Sequence, residues 1–166
     1  MTQDGTKESS YRPLFGLAES QDAIDQVVAA AERTLRIFDI SLSLRGFNTP
    51  ARTEHLRALL VAGRAHRIHI ALHDTDALAR ENPRLLALLR QFPASIEIHR
   101  TLAQARNASD PFIIADDHSL WHQANHAQPR AIVAMHSPAD VVPVLQRFEE
   151  IWEFSEPAVS ATTLGL

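Results

Sequence analysis

The chain has 166 residues, a net charge of −4 and a pI near 6.1. That is room for one domain, and the acidic balance argues against a dedicated nucleic-acid binder, whose surface is basic. With 45% hydrophobic and 22% charged residues the composition is that of an ordinary folded domain, and the absence of cysteine excludes a disulfide scaffold, thiolate catalysis and cysteine-ligated metal.

Residues 1 to about 12, MTQDGTKESSYR, are polar, lack a signal-peptide pattern and read as a flexible arm. No apolar run approaches the ~20 residues of a membrane helix, so a cytoplasmic protein without membrane contact is expected. Fifteen of the sixteen basic residues are arginine, a bias that hints at a GC-rich bacterial genome.

Ser20 reads as the N-cap of a helix with Ile24, Val27, Val28, Ala31 and Leu35 at 3.6-residue spacing. TLRIFDISLSL then changes period and reads as a strand. Thr49-Pro50 is a cap followed by proline at the first helical position, and the helix it starts turns Leu56, Leu59 and Leu60 inward. RIHIALHD is the clearest strand, with Ile68, Ile70 and Leu72 alternating with His69, Ala71 and His73. Asn82-Pro83 repeats the cap signal before LLALLRQF, a short helix, and SIEIHR is another alternating strand. PFIIAD and SLWHQ read as a hairpin, RAIVAMHS as a further strand. A last helix carries Val141, Val144, Leu145, Phe148, Ile151 and Trp152; Pro143 fits only a first turn, which puts the start near Asp140.

The order α-β-α-β-α-β, three strands, α predicts an α/β fold: a mixed β-sheet flanked by helices on both faces, parallel in its first half. The single domain spans residues 13–156, and residues 157–166 form a tail docked through its leucines. In such sheets ligands sit beyond the carboxyl ends of the parallel strands. The residues at those ends are Ser41, Ser43, His73, Asp74, His99 and Arg100.

RIFDISLS, RALLVAGRAHRIHIALHD, PFIIADD and the FEEIWEFS helix together resemble the phospholipase D-like superfamily, as a single-copy half of that fold, over about residues 20–155. Active members carry His-x-Lys, four residues, then Asp. Laid over FIIADD, Asp116 takes the place of that Asp, Ser109 that of the nucleophilic His, and Pro111 that of the Lys. In the family the His attacks phosphorus and the Lys neutralises the phosphoryl group. Ser109 has no base beside it in sequence and Pro111 no side-chain donor, so the resemblance implies a degenerate site without hydrolysis by the family mechanism. Some proteobacterial proteins of unknown function are similar, with a helix reading Phe-x-x-x-Trp-x-x-Ser, here Phe148, Trp152 and Ser155. The resemblance also implies a homodimer, since single-copy relatives pair two halves around one site, and it calls for no cofactor.

The candidate pocket is Asp39, His73, Asp74, Arg100 and Asp116, where Arg100 could hold an anionic small ligand such as a phosphate group. An unpaired carboxylate inside an apolar strand is costly, so Asp39 either faces a polar cleft or pairs with an arginine, of which Arg100 is one candidate. His73-Asp74 is a carboxylate-oriented imidazole at a strand end. His118, His122 and His126 are spaced by four, which on a helix would face one metal, but SLWHQ reads as a strand. His69 and His73 lie roughly 13 Å apart on one strand face, too far for one ion. Arg57, Arg64 and Arg67 form a stripe read as a solvated face. The expected function is a binding, regulatory or assembly module. The alternatives are a phosphodiesterase-type hydrolase using His73 and Asp74 or a His-bound metal, and a nucleic-acid accessory protein using the arginine stripe.

Overall fold

Alternating apolar residues at 68, 70 and 72 become an interior strand of an eight-stranded sheet in a computed structural model that describes residues 7–160. The strands are β1 (Ser10–Leu14), β2 (Thr34–Asp39), β3 (Arg67–Leu72), β4 (Ile96–Thr101), β5 (Phe112–Ala115), β6 (Ser119–Asn125), β7 (Gln128–Met135) and β8 (Ser155–Val159). Helices α1 (Gly16–Ala30), α2 (Pro50–Val61), α3 (Leu78–Glu81), α4 (Pro83–Gln91) and α5 (Pro138–Glu153) connect them. Across the sheet the order is β1-β7-β6-β5-β2-β3-β4-β8. β2, β3 and β4 are parallel, joined by helices that such crossovers require, and the remaining pairings are antiparallel.

The period-2 pattern sorts side chains onto two faces. Leu35, Ile37, Ile68, Ile70, Ile96, Ile98 and Ile113 pack with the apolar stripes of α1, α2 and α4. Phe38, Ala71, Phe112, Ile114, Leu120 and Ala134 pack instead under α5, through Val141, Phe148 and Ile151. Helices on both faces of a mixed sheet are the expected α/β architecture.

Four local expectations change. The first helix begins at Gly16 (φ +88), where the Glu19 carboxylate accepts the Phe15 N–H at 2.8 Å; Ser20 is a buried residue inside the helix, not its cap. Thr49 does cap α2, accepting the Arg52 N–H at 3.3 Å. The strand read through Leu44 stops at Asp39, because Leu42 and Leu44 (both φ +64) turn the chain back on itself. α5 starts at Pro138, so Pro143 sits beyond its first turn, where its missing N–H removes one helical hydrogen bond. The edge strands β1 and β8 also take in residues assigned to the arm and the tail. The tail's Leu164 and Leu166 lie outside the described residues.

Candidate functional site

Beyond the carboxyl end of β2 the chain builds a small cleft against the start of α1 and the β6–β7 turn. Asp39, the last residue of β2, is buried, and its Oδ2 accepts the Arg45 Nε–H at 2.7 Å. Arg45 can return to it because the left-handed residues Leu42 and Leu44 reverse the chain within six residues, and Gly46 (φ +80) continues the turn. The positive φ at 46 favours glycine, and a Cβ there would also press on Gln21 Oε1 at 2.6 Å, which would have to shift. The Arg45 guanidinium lies 5.0 Å from the Trp121 ring centre, a cation–π contact. Beneath this loop Arg52 is fully buried, held by Asp25, Gln21 and the Arg45 carbonyl. Burial lowers the Arg52 pKa, which Asp25 only partly offsets. The cleft itself, about 270 Å³, is lined by Ser43, Arg45, Gln123 and His126 with Leu17 and Leu44 at its rim.

The five pocket residues do not converge there. Arg100 sits on the β4–β8 edge, half-exposed, 3.9 Å from Glu156 across the strand pair; Arg45, not Arg100, neutralises Asp39. Asp74 is exposed and caps a turn by accepting the Asp76 N–H at 2.8 Å. His73 faces α5's side of the sheet, with both nitrogens engaged: Nδ1 2.5 Å from Thr101 Oγ1 and Nε2 2.6 Å from the Ala108 carbonyl. The carbonyl can only accept, so Nε2 carries the proton and Nδ1 accepts from the hydroxyl. That leaves no free lone pair for proton abstraction.

Asp116 is at the opposite end of the sheet. β5 runs antiparallel to β2, so Phe112 lies beside Phe38 at the carboxyl end and Ala115 beside Leu35 at the amino end. At φ +54, Asp116 aims its carboxylate into the α1–β2 connection, where it accepts the N–H groups of Glu32, Arg33 and Thr34 at 2.8, 2.9 and 2.8 Å. Burial would raise this carboxyl's pKa, but the three donors and His118 outweigh it and hold it below the usual carboxylate range.

Ser109 and Pro111 lead into β5 at the cleft end, paired by backbone with His126 and Gln123. Among the described residues the Ser109 hydroxyl meets no side-chain partner, and Pro111 is buried. Between them, Asp110 accepts His122 Nε2–H at 2.9 Å and the Arg147 Nε–H at 3.1 Å. Burial pushes the Asp110 carboxyl up, and these two partners more than reverse it, so its pKa is lowered.

The three histidines spaced by four have separate surroundings: His118 against Asp116 (3.3 Å) and His136, His122 on Asp110, His126 at the cleft. β6 is a strand, and its length separates them. Among the described residues no three His, Asp or Glu side chains form a metal-ligand group. The arginine stripe is dispersed as well, Arg57 bonding Gln91 and Glu54 while Arg67 bonds backbone carbonyls.

A different cluster, not singled out in the sequence, lies under α5. Trp152 stacks on His99 of β4 at 3.6 Å and on His69 of β3 at 4.9 Å between ring centres. His99 Nδ1 is 2.8 Å from Ser155 Oγ, which donates to the Trp152 carbonyl at 2.6 Å. Burial lowers the pKa of both imidazoles, opposed by Glu97. The Phe148, Trp152 and Ser155 spacing was the available signal: it places an indole and a hydroxyl over these two strands.

A family model described as "Domain of unknown function (DUF7931)" matches residues 17–164. The chain belongs to that family. No curated protein sequence matches it. In fold it is similar to the phospholipase D family member Nuc from Salmonella typhimurium, with a TM-score of 0.63 and 17% identity over 92% of this chain and 100% of Nuc. NucT from Helicobacter pylori is similar over 91% of this chain and 100% of its own, with a TM-score of 0.57 and 14% identity. TrmBL2, an archaeal chromatin protein for which a mode of DNA binding is described, matches with a TM-score of 0.66 and 14% identity. This chain covers 92% of itself but only 56% of TrmBL2 in that match. The DUF7931 chain therefore has the phospholipase D-like fold, and at these identities the likeness speaks for the fold alone.

Proposed function

We propose that this chain is a non-hydrolytic phospholipase D-like module that pairs two copies through the strand-end cleft. The observation that carries the reading is the chemistry at the start of β5: a serine with no base at hydrogen-bond distance, then a buried proline. His73, whose Nε2 meets the carbonyl of Ala108 beside it, has both nitrogens occupied. An activated nucleophile needs a base in reach, and among the described residues none is hydrogen-bonded to the Ser109 hydroxyl.

Charge and exposure favour assembly over anion capture at this cleft. Arg45 is the cation that lines it, and Asp39 balances that charge at 2.7 Å. Leu17 and Leu44, 60% and 78% exposed, stand at the rim. Two-fold pairing buries such a rim against its own copy. A phosphate ligand would have to displace the Asp39 partner, at the cost of a buried unpaired carboxylate.

Sedimentation equilibrium together with a phosphodiester assay tests this. The expected result is a dimer that Leu17→Glu/Leu44→Glu converts to monomer, and no turnover of bis(p-nitrophenyl) phosphate. Turnover that His73→Ala or chelation abolishes would establish the hydrolase alternative instead. A monomeric wild-type chain would defeat the pairing. Salt-sensitive DNA binding would favour the nucleic-acid alternative.

A further inference from the structure

On the α5 side of the sheet, coverage by the helix ends at the row formed by Leu120 of β6 and Ala134 of β7, both packed beneath α5. One step along the strands, Pro13, Ile132 and His122 form the next row across β1, β7 and β6. Arg130 and Phe15 follow at the same two-residue spacing, and Tyr11 closes the groove on the β1 side. The groove encloses about 590 Å³, within the range of small-molecule sites. Tyr11 and Phe15 are 60% and 74% exposed, so no helix among the described residues covers them.

The groove is apolar with polar groups gathered at one end. Arg130 is exposed and has no ion-pair or hydrogen-bond partner among the described residues, so its guanidinium is free to meet a ligand beside Phe15 and Ile132. His122 is oriented: its Nε2 points at Asp110, which Arg147 anchors on its other side. Its Nδ1 has no partner among the described residues. Arg147 balances Asp110, which leaves Arg130 as the charged side chain in the groove lining, while the Glu19 carboxylate is held on the Phe15 N–H. A second negative charge on a ligand would meet Asp110 across His122.

We infer that this groove binds an amphiphile with one carboxylate head and a medium-length alkyl chain, the head on Arg130 beside His122 and the chain along Pro13, Phe15, Tyr11 and Ile132. The guanidinium fork matches a carboxylate in two parallel hydrogen bonds. Three adjacent strands give the chain a floor roughly 10 Å wide. The site lies apart from the strand-end cleft and does not depend on how that cleft functions.

Titration calorimetry with decanoate, 1-decanol and decyltrimethylammonium, all below their aggregation concentrations, tests the assignment. Decanoate is expected to bind once per chain and at least tenfold more tightly than decanol, with the cation weakest. Arg130→Ala should bring decanoate to the level of decanol, and Phe15→Ser should weaken both. These side chains are exposed, so the variants keep the fold, which circular dichroism checks. A shift of the His122 imidazole resonances on decanoate addition locates the head. No binding of decanoate, or equal binding by wild type and Arg130→Ala, overturns the assignment. So does a dimer that Phe15→Ser dissociates while decanoate fails to bind, because a second copy would then be the occupant. Leu17→Glu/Leu44→Glu should leave decanoate binding unchanged, which separates this groove from the cleft.

Discussion

The two ends of β5 differ in how completely their polar groups are satisfied. At the amino end of the parallel strands Asp116 takes three backbone N–H groups and ties the α1–β2 connection to the sheet. At the carboxyl end the Ser109 hydroxyl has no side-chain partner among the described residues, and Pro111 is a packed ring. The Asp116 carboxylate has a structural task of its own, which does not depend on what stands at the other end of the strand.

The largest expected effect is at the satisfied end. Asp116→Ala leaves three N–H groups without their acceptor and puts a β-carbon without polar compensation at φ +54; a loss of about 2–4 kcal/mol in urea unfolding is expected. Asp116→Asn, which tolerates the left-handed region and keeps one carbonyl, should lose less. A change under about 0.5 kcal/mol for Asp116→Ala would erase the contrast between the ends.

Acid separates that end from the middle of the sheet. His69 and His99 have folded-state pKa values below their unfolded ones, chiefly through burial. Their contribution is complete above about pH 6.5, and it is lost as pH falls through the folded values, because the unfolded chain binds the protons first. Melting temperature should thus decline between pH 7 and 5, and His69→Gln/His99→Gln should flatten that limb. Asp116 is likewise depressed, so its contribution holds above about pH 3.9 and fades below. The gap between wild type and Asp116→Ala should close in strong acid. A gap that stays constant from pH 7 to 2 would mean the carboxylate's charge is not what holds the connection.

The smallest effect belongs to the cleft end. Ser109→Ala should change stability by no more than about 0.5 kcal/mol, and phosphodiester hydrolysis should be absent before and after. A tenfold loss of any measured hydrolysis on this substitution would make Ser109 a nucleophile and reverse the reading of that end.

Much of the architecture was legible because it depends on local periodicity. Alternation found β3 and β4, proline after a cap residue found α2 and α4, and the count of elements gave the mixed sheet. Edge strands escaped: β1 and β8 have five residues each, contain Pro13 and Pro157, and bury almost nothing, so no alternation marks them. The site was harder because its contacts are not local. Asp39 meets Arg45 through two left-handed residues, a conformation the leucines at 42 and 44 do not advertise. Asp116 was grouped with residues at the far end of the sheet, although the length of β5 and its antiparallel direction already separate it from Ser109. Asp110 sits between the two replaced motif positions, and its role depends on His122 and Arg147 arriving from other elements.

The sheet's outer strands come from opposite ends of the described chain. β1 is made first, but its partner β7 is among the last elements to leave the ribosome, and β4's outer flank waits for β8. Until then the growing sheet exposes unpaired hydrogen-bonding edges, the template on which strands of other molecules add. Closing them requires contacts of long sequence separation, which form slowly. The interval between synthesis and closure is when this protein is most exposed to aggregation, and Pro13 and Pro157, each lacking an N–H to offer, sit on the two strands that eventually form its borders.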